Sequence, residues 1–275
     1  MQETPKPIEA GQTEQQRVAD LRLLIEAVRE AGELALSYFR QSPHTEIKPD
    51  GTEVSEADLA ADACLKHALI GERPDYGWLS EESEDDPTRL EKRFVWVVDP
   101  IDGTRAFLRD KPEWAVSVAL IDRNHPVLAA VFNGATGEFF HASLGHGAFL
   151  NDDPIRISDR VELAGSRLAA APQIFKRNIW REPWPELETV WVNSIAYRLA
   201  LTASAKCDGT ISMSGKNDWD LAAGHLLVQE AGGVVTTARG APLVYNQLTP
   251  AQDSIIAAGS SLHGALLRRT QAALS

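Results

Sequence analysis

One segment constrains this chain more than any other. Phe94-Val-Trp-Val-Val98 is a short apolar run rich in β-branched and aromatic side chains, which predicts a buried strand. It ends abruptly at Asp99, and Pro100, Ile101, Asp102, Gly103 and Thr104 follow. Two carboxylates three residues apart at the end of a buried strand are poorly explained by packing. Close carboxylates repel unless a cation or a proton lies between them. A hard divalent cation with oxygen ligands meets that requirement. Gly103 and Thr104 add backbone N–H groups and a hydroxyl at a turn, which suits an anion such as phosphate. The plainer alternative is that Asp99 and Asp102 only cap the next segment, since Asp before Gly is common in turns.

The rest of the chain narrows the setting. At 275 residues it has room for one large domain or two closely packed halves, which we place at 14–153 (α+β) and 154–275 (α/β). A net charge of −12 argues against a nucleic-acid polymer as partner. It does not forbid an anionic metabolite, because bound metal reverses the local sign. Cys64 and Cys207 form no CxxC and no metal-ligand spacing, which predicts free thiols in a reducing cytoplasm. The N-terminus has no basic-then-apolar signal and reads as a disordered lead-in of about a dozen residues. No apolar run approaches the ~20 residues that a membrane span needs.

Helical periodicity predicts a long amphipathic helix over about 14–40, ended by Ser42-Pro43. A hairpin-like connection follows over Ile47 to Val54, with Asp50-Gly51 at its turn. Ser55-Glu-Ala-Asp58 has capping-box spacing and opens a helix to about Ile70. Tyr76 to Leu79 reads as a short strand running into Ser80-Glu-Glu-Ser83, then an acidic surface loop with Pro87. Strands are expected over 114–121, 127–132 and 138–142, and Gly145 to Pro154 reads as turns that close this half. Beyond it, strands are expected at 167–171, 209–213, 234–237 and 254–258. Helices are expected at 194–206, 218–231 and 262–273. Residues 173–188 carry no clear period.

Further acids stand at strand ends or helix starts. Glu81 and Glu82 follow an apolar strand, as Asp99 does, although paired loop glutamates are often only solvated. Asp58 fits the N3 position of a capping box, and Asp220 sits in a first helical turn where the macrodipole favours an acid. The histidines show no HxH or HExxH spacing, which disfavours zinc. GxSxG, GxxxxGK[ST] and GxGxxG are all missing from the sequence.

Over about residues 15–273 the sequence resembles the inositol monophosphatase superfamily of magnesium-dependent, lithium-sensitive phosphatases. Asp99-Pro-Ile-Asp-Gly-Thr104 matches that family's first signature. Trp219-Asp-Leu-Ala-Ala-Gly224, with Glu230-Ala-Gly-Gly233 behind it, matches the second. Ser80-Glu-Glu-Ser83 resembles its Gly-Glu-Glu-Ser element, and Val54-Ser-Glu-Ala-Asp58 the segment whose aspartate lies near the nucleophile. The resemblance implies a layered αβαβα sandwich, usually a homodimer. It implies that Glu81, Asp99 and the Ile101 carbonyl hold one Mg²⁺, that Asp99, Asp102 and Asp220 hold a second, and that a third ion is sometimes recruited near Glu81. Gly103 and Thr104 would bind phosphate, Thr104 and Asp58 would activate water, and Lys48 would stand near the entrance.

For the substrate, the family's inositol-specific members carry Asn where this chain has Arg105, and an inositol-holding Glu where it has Met213. Arg105 and the strand from Trp114 to Leu120 are closer in character to bacterial 3′(2′),5′-bisphosphate nucleotidases. That predicts removal of the 3′-phosphate of adenosine 3′,5′-bisphosphate, with Arg105, Asn193, Ser194, Met213 and Asp220 among the substrate contacts. Inositol 1-phosphate and histidinol phosphate are the alternative substrates. A regulatory binding role for a degenerate phosphatase is the non-enzymatic alternative, which the complete carboxylate set disfavours.

Overall fold

A computed structural model describes residues 13–49 and 51–274. The expected polar lead-in, and Asp50 of the expected turn, lie outside the described residues. Helix α1 (Glu14–Tyr38) is followed by a hairpin of β1 (Thr45–Ile47) and β2 (Glu53–Ser55), then by helix α2 (Glu56–Glu72). A seven-stranded sheet then forms in chain order from β3 (Gly77–Ser80), β4 (Phe94–Asp102), β5 (Ala115–Asp122), β6 (His125–Asn133), β7 (Glu138–Ser143), β8 (Ala148–Leu150) and β9 (Asp153–Ile155). Within this sheet, among the described residues, β3 and β4 pair in parallel and the other neighbours are antiparallel. The short helix α3 (Thr104–Phe107) follows β4.

The second sheet contains β10 (Arg167–Ala169), β11 (Glu188–Val190), β12 (Gly209–Ser212), β14 (Val234–Thr236) and β16 (Ile255–Ala258). Its spatial order is β11-β10-β12-β16-β14, and β13 (Lys216–Asn217) pairs separately with β15 (Ala251–Gln252). Helices α4 (Ile195–Ala203), α5 (Asp218–Glu230) and α6 (Ser260–Leu274) complete the chain. Among the described residues, no helix is long and apolar enough to cross a membrane.

The layering follows from alternation, because successive strand side chains point to opposite faces. In β4, Trp96 and Val98 join a core with Leu24, Leu65 and Leu69 of α1 and α2, while Val95 and Val97 face the opposite way. In β5, Val116, Val118 and Leu120 take the first face, and Ala115, Ala119 and Ile121 the second. That second face packs on α4 and α5, whose other side meets Ala169, Val235 and Ala257 of the smaller sheet. Ile256 and Ala258 turn outward onto Leu262 and Leu266 of α6. The result is an αβαβα sandwich, as the resemblance implied.

Several local expectations change. β4 does not stop at Asp99: its pairing with β5 resumes at Asp102 after a register shift, so both aspartates belong to one irregular strand end. The stretch from Gly145 to Pro154 forms β8 and β9 as well as turns. Part of 173–188 and its flanks becomes a 3₁₀ turn at Pro172–Lys176 and strand β11, and a second 3₁₀ turn occupies Pro87–Glu91 in the acidic loop.

Gly224 sets the spacing of the middle layer. A Cβ there would lie 2.5 Å from the Cβ of Leu199 on α4. Alanine at a mid-helix glycine gains about 1 kcal/mol of propensity. Overpacking costs about 1–3 kcal/mol, and a Cβ–Cβ clash cannot be relieved by rotamer change. The clash should win: Gly224→Ala should lower the thermal midpoint by several degrees. A higher midpoint in a melt of the variant would refute this account of the α4–α5 contact.

Candidate active site

Three elements deliver carboxylates to one point. The irregular end of β4 supplies Asp99 and Asp102, and the first turn of α5 supplies Asp220. One oxygen from each of the three lies within 4.8 Å of the others. The fold satisfies them unequally. Asp102 Oδ2 accepts from the Ser194 hydroxyl at 2.7 Å and from the Ala196 N–H at 2.6 Å, where α4 begins. Asp220 Oδ2 accepts from the Asn217 N–H at 2.7 Å. Asp99 is 1% exposed, and neither of its carboxylate oxygens has a hydrogen-bond partner. A buried carboxylate so placed is costly unless a proton or a cation occupies the gap. An all-oxygen, acid-rich site of this kind fits a hard divalent ion.

Protonation equilibria show the same stress. Burial, then the neighbouring charges of Glu81, Asp102 and Asp220, push the Asp99 carboxyl well above the usual range. Burial raises Asp102 to about 6 against the bonds from Ser194 and Ala196. Burial and the Asp102 charge raise Asp220 to about 7.

Glu81 stands beside this cluster. Its N–H donates to Val98 O at 3.2 Å, one residue before Asp99. Its carboxylate faces Lys48 Nζ at 3.4 Å, and Lys48 also pairs with Glu82 at 2.7 Å. The turn is bracketed by serines: Ser80 and Ser83 both donate to the carboxylate of Asp62 on α2, the latter at 2.6 Å. Asp62 therefore fixes where Glu81 points.

Thr104 Oγ1 lies 3.0 Å from Asp58 Oδ1 and 3.1 Å from Ile101 O. Asp58 also closes the capping box of α2, accepting from the Ser55 N–H at 2.9 Å. The two readings of Asp58, cap and site residue, describe different oxygens of one side chain. Gly103 before Thr104 has φ 100°, and a Cβ there would meet Glu113 O at 2.8 Å. Only glycine fits. In this short helix the Ala106 and Phe107 N–H groups donate to Gly103 O, while those of Thr104 and Arg105, which border the cleft, have no backbone acceptor among the described residues.

A cleft of about 440 Å³ is bordered by Glu81, Ile101, Asp102, Gly103, Thr104, Arg105, Asn193 and Asp220. Asp99 and Asp58 lie behind this wall. Met213 is elsewhere, in an adjoining cavity that Arg105 and Asn193 also border. Ser194 departs from expectation. It is fully buried, caps α4 and donates to Asp102, and its neighbours Asn193 and Ile195 border the cleft instead. Sequence reading passed over Lys216, which borders both cavities. Its position four residues before Asp220 was the available signal.

The raised carboxyl pKa values have a definite linkage sign. The folded chain holds these protons more tightly than the unfolded one, whose value is 3.8. Metal-free stability from this cluster is therefore present at low pH and lost as pH rises from about 4 to about 7. Buried His225, pushed down to about 4, acts in the opposite sense. The magnesium-induced difference isolates the cluster: Mg²⁺ should raise the melting temperature more at pH 8 than at pH 5. Paired melts at both pH values check this, and an equal or larger shift at pH 5 would contradict it.

Comparison with known proteins agrees with this geometry. The model of the inositol monophosphatase family matches residues 16–275. An inositol-1-monophosphatase of Rhizobium meliloti (strain 1021) is 35% identical over 82% of this chain and 87% of its own length. A 3′(2′),5′-bisphosphate nucleotidase CysQ of Aggregatibacter actinomycetemcomitans is 29% identical, again over 82% and 87%. The crystal structure of the extragenic suppressor protein suhB from Bartonella henselae superposes with a TM-score of 0.80 at 30% identity, covering 92% of this chain and 98% of that one. The chain belongs to the inositol monophosphatase family, and is a metal-dependent phosphatase of that family.

Proposed function

We propose that the chain hydrolyses a small phosphate monoester by attack of water, with the 3′-phosphate of adenosine 3′,5′-bisphosphate as its preferred target. The observation that carries the phosphatase chemistry is Asp99: two buried, partnerless carboxylate oxygens beside a cleft with room for a phosphorylated metabolite. Glu81, Asp99, Asp102, Asp220 and the Ile101 carbonyl would hold Mg²⁺. Bound there, Mg²⁺ supplies charge neutralisation for the phosphoryl group and a more acidic water.

The remaining work falls to the chain itself. The N–H groups at Gly103 and Thr104 receive phosphoryl oxygens, with no reorganisation required during reaction. Thr104 Oγ1 orients the attacking water, and the proton passes toward Asp58 Oδ1 at 3.0 Å. Burial raises the Asp58 carboxyl pKa despite its bonds to Ser55, which makes it a better proton acceptor than an exposed carboxylate. Phosphoryl transfer needs mainly positioning and charge neutralisation, and these groups provide both. Lithium inhibition and a homodimeric assembly belong to the same reading as family expectations.

For the leaving group, exposed Arg105 stands at the mouth of the cleft, where a second phosphate can be gripped bidentately. Met213 packs among apolar neighbours and offers no strong acceptor to a polyol. A second reading, inositol 1-phosphate, is favoured by the 35% identical relative named for that activity.

Two measurements test these statements. Asp99→Asn should lower phosphate release by a few orders of magnitude, several kcal/mol of transition-state stabilisation. Near-native turnover of this variant in saturating Mg²⁺ would defeat the metal assignment. In a panel of adenosine 3′,5′-bisphosphate, inositol 1-phosphate, histidinol phosphate and fructose 1,6-bisphosphate, the first should have the highest kcat/KM. Arg105→Ala should narrow its lead over inositol 1-phosphate, chiefly through KM. Greater efficiency of the native enzyme on inositol 1-phosphate would select the second reading.

A further inference from the structure

Two buried charges stand outside the acidic cluster and take no part in the chemistry above. Arg89 lies in the 3₁₀ turn of the acidic loop, and Asp218 is the first residue of α5. A buried charge is expensive unless its polar atoms are bonded. Arg89 grips Asp85 bidentately, Nε to Oδ1 at 2.6 Å and Nη2 to Oδ2 at 2.9 Å. The same guanidinium reaches the segment before β15, with Nη1 donating to Asn246 Oδ1 at 2.6 Å and Nη2 to Gln247 O at 3.1 Å. The Asn246 N–H then donates to Asp218 Oδ2 at 2.7 Å. Asp218 Oδ1 accepts from Gln252 Nε2 at 3.1 Å, and the Asp218 N–H donates to Pro250 O at 2.9 Å.

Each end of this chain of bonds is tied to an element that carries a site carboxylate. The acidic loop runs from Glu81 into β4, which ends in Asp99 and Asp102. Asp220 stands two residues beyond Asp218, and Gln252 pairs through β15 with Lys216 of β13, which leads into the same helix. The capping bond from Asn217 fixes Asp220 within its own turn, but it does not fix that turn relative to β4. Apolar packing of α5 is non-directional. An arginine fork, by contrast, sets distances and angles on both of its sides. Ligating groups need that precision, since a site about 1 Å too loose functions poorly.

We infer that Arg89 and Asp218 are positioning residues for the metal centre. The buried brace Asp85–Arg89–Asn246–Asp218 holds the first turn of α5, and with it Asp220, at a fixed reach from the carboxylates of β4. The inference rests on the reading above in which Asp220 holds Mg²⁺, and extends it to residues that do not border the cleft.

The test titrates Mg²⁺ into the full-length chain, freed of metal by a chelator, and reads affinity by calorimetry apart from turnover. Asp218→Asn puts an amide donor against a donor already in place, and Arg89→Met removes the fork. Each should weaken Mg²⁺ binding about tenfold, the scale on which support behind a ligand acts. The double variant should bind no worse than the weaker single one, because both cut the same brace. Asn246 has φ 55°, so Asn246→Gly keeps the backbone and its N–H while removing the acceptor of Arg89. This milder variant should lose affinity several-fold, and it decides the matter if a charge variant does not fold. Tyr76→Phe is the control. It removes a bond to Asp20 of 2.7 Å beside Phe94, at the far end of β4 from Asp99. It should lower the thermal midpoint and leave Mg²⁺ affinity unchanged, which separates positioning from general stability. Native affinity in Arg89→Met and Asn246→Gly, beside lost affinity in Asp220→Asn, would overturn the brace and leave the metal site standing. Native affinity in Asp220→Asn would instead remove the ligand reading, and the brace with it.

Discussion

Everything around the site answers one electrostatic problem: Asp99 is a carboxylate without a partner inside an apolar sandwich. Its neighbours are treated differently. Asp102 receives two hydrogen bonds and Asp220 one, and bonds to a charged acceptor contribute about 1.5–3 kcal/mol each. Asp99 receives none, while the penalty for an unpaired buried charge is several kcal/mol. The fold thus offsets two members of the cluster internally and leaves the third to a cation or a proton. A mutually repelling trio in which every member was fully hydrogen-bonded would bind a metal less readily, because less would be gained on binding.

The layer order explains why that point lies where it does. β4 lies next to the edge strand β3 of the larger sheet and ends where α4 and α5, in the middle layer, begin. Both helices direct their N-terminal ends at the cluster: Ala196 of α4 bonds Asp102, and Asp220 stands in the first turn of α5. Helix N-termini carry partial positive charge and favour anions within about one turn. The third approach comes from β3, whose end is bracketed by Asp62 on α2. Elements from three layers therefore meet at one edge, and the close α4–α5 contact at Gly224 keeps two of them in step.

What the sequence made legible were features with a short-range signature. The strands β4 and β5 were readable as apolar runs because both faces are buried, each against a different core. The acids at strand ends and helix starts were readable because carboxylates are out of place there unless something binds them. The register shift between Asp99 and Asp102 was hidden, since one extra residue in a strand has no compositional mark. Neighbouring residues at a helix start differ in a way the sequence does not mark: Asn193 borders the cleft while Ser194 is buried as the cap of α4. The adjoining cavity was legible only in part: Arg105, Asn193 and Met213 were expected contacts, and the rest of its cations were not. Arg177 falls in an aperiodic stretch, Trp191 just beyond a short strand, Arg198 inside the helix expected over 194–206, and Lys216 in a two-residue strand. Only the tertiary fold gathers them.

Asp58 shows why competing readings of one residue need not exclude each other. As the N3 residue of a capping box it accepts through Oδ2 from Ser55, and through Oδ1 it meets Thr104. The cap holds the carboxylate in one rotamer, and that rotamer is the one that reaches the hydroxyl. A helix start is a rigid mount, whereas a loop would let the same carboxylate wander by more than a catalytic hydrogen bond tolerates. Asp220 combines the same two roles at the other helix, closing a capping box through Oδ2 to the Asn217 N–H and standing in the acidic cluster. Capping and the acidic cleft are thus coupled in this fold: the bond that starts each helix also holds a carboxylate that reaches Thr104 in one case and the Asp99–Asp102 pair in the other.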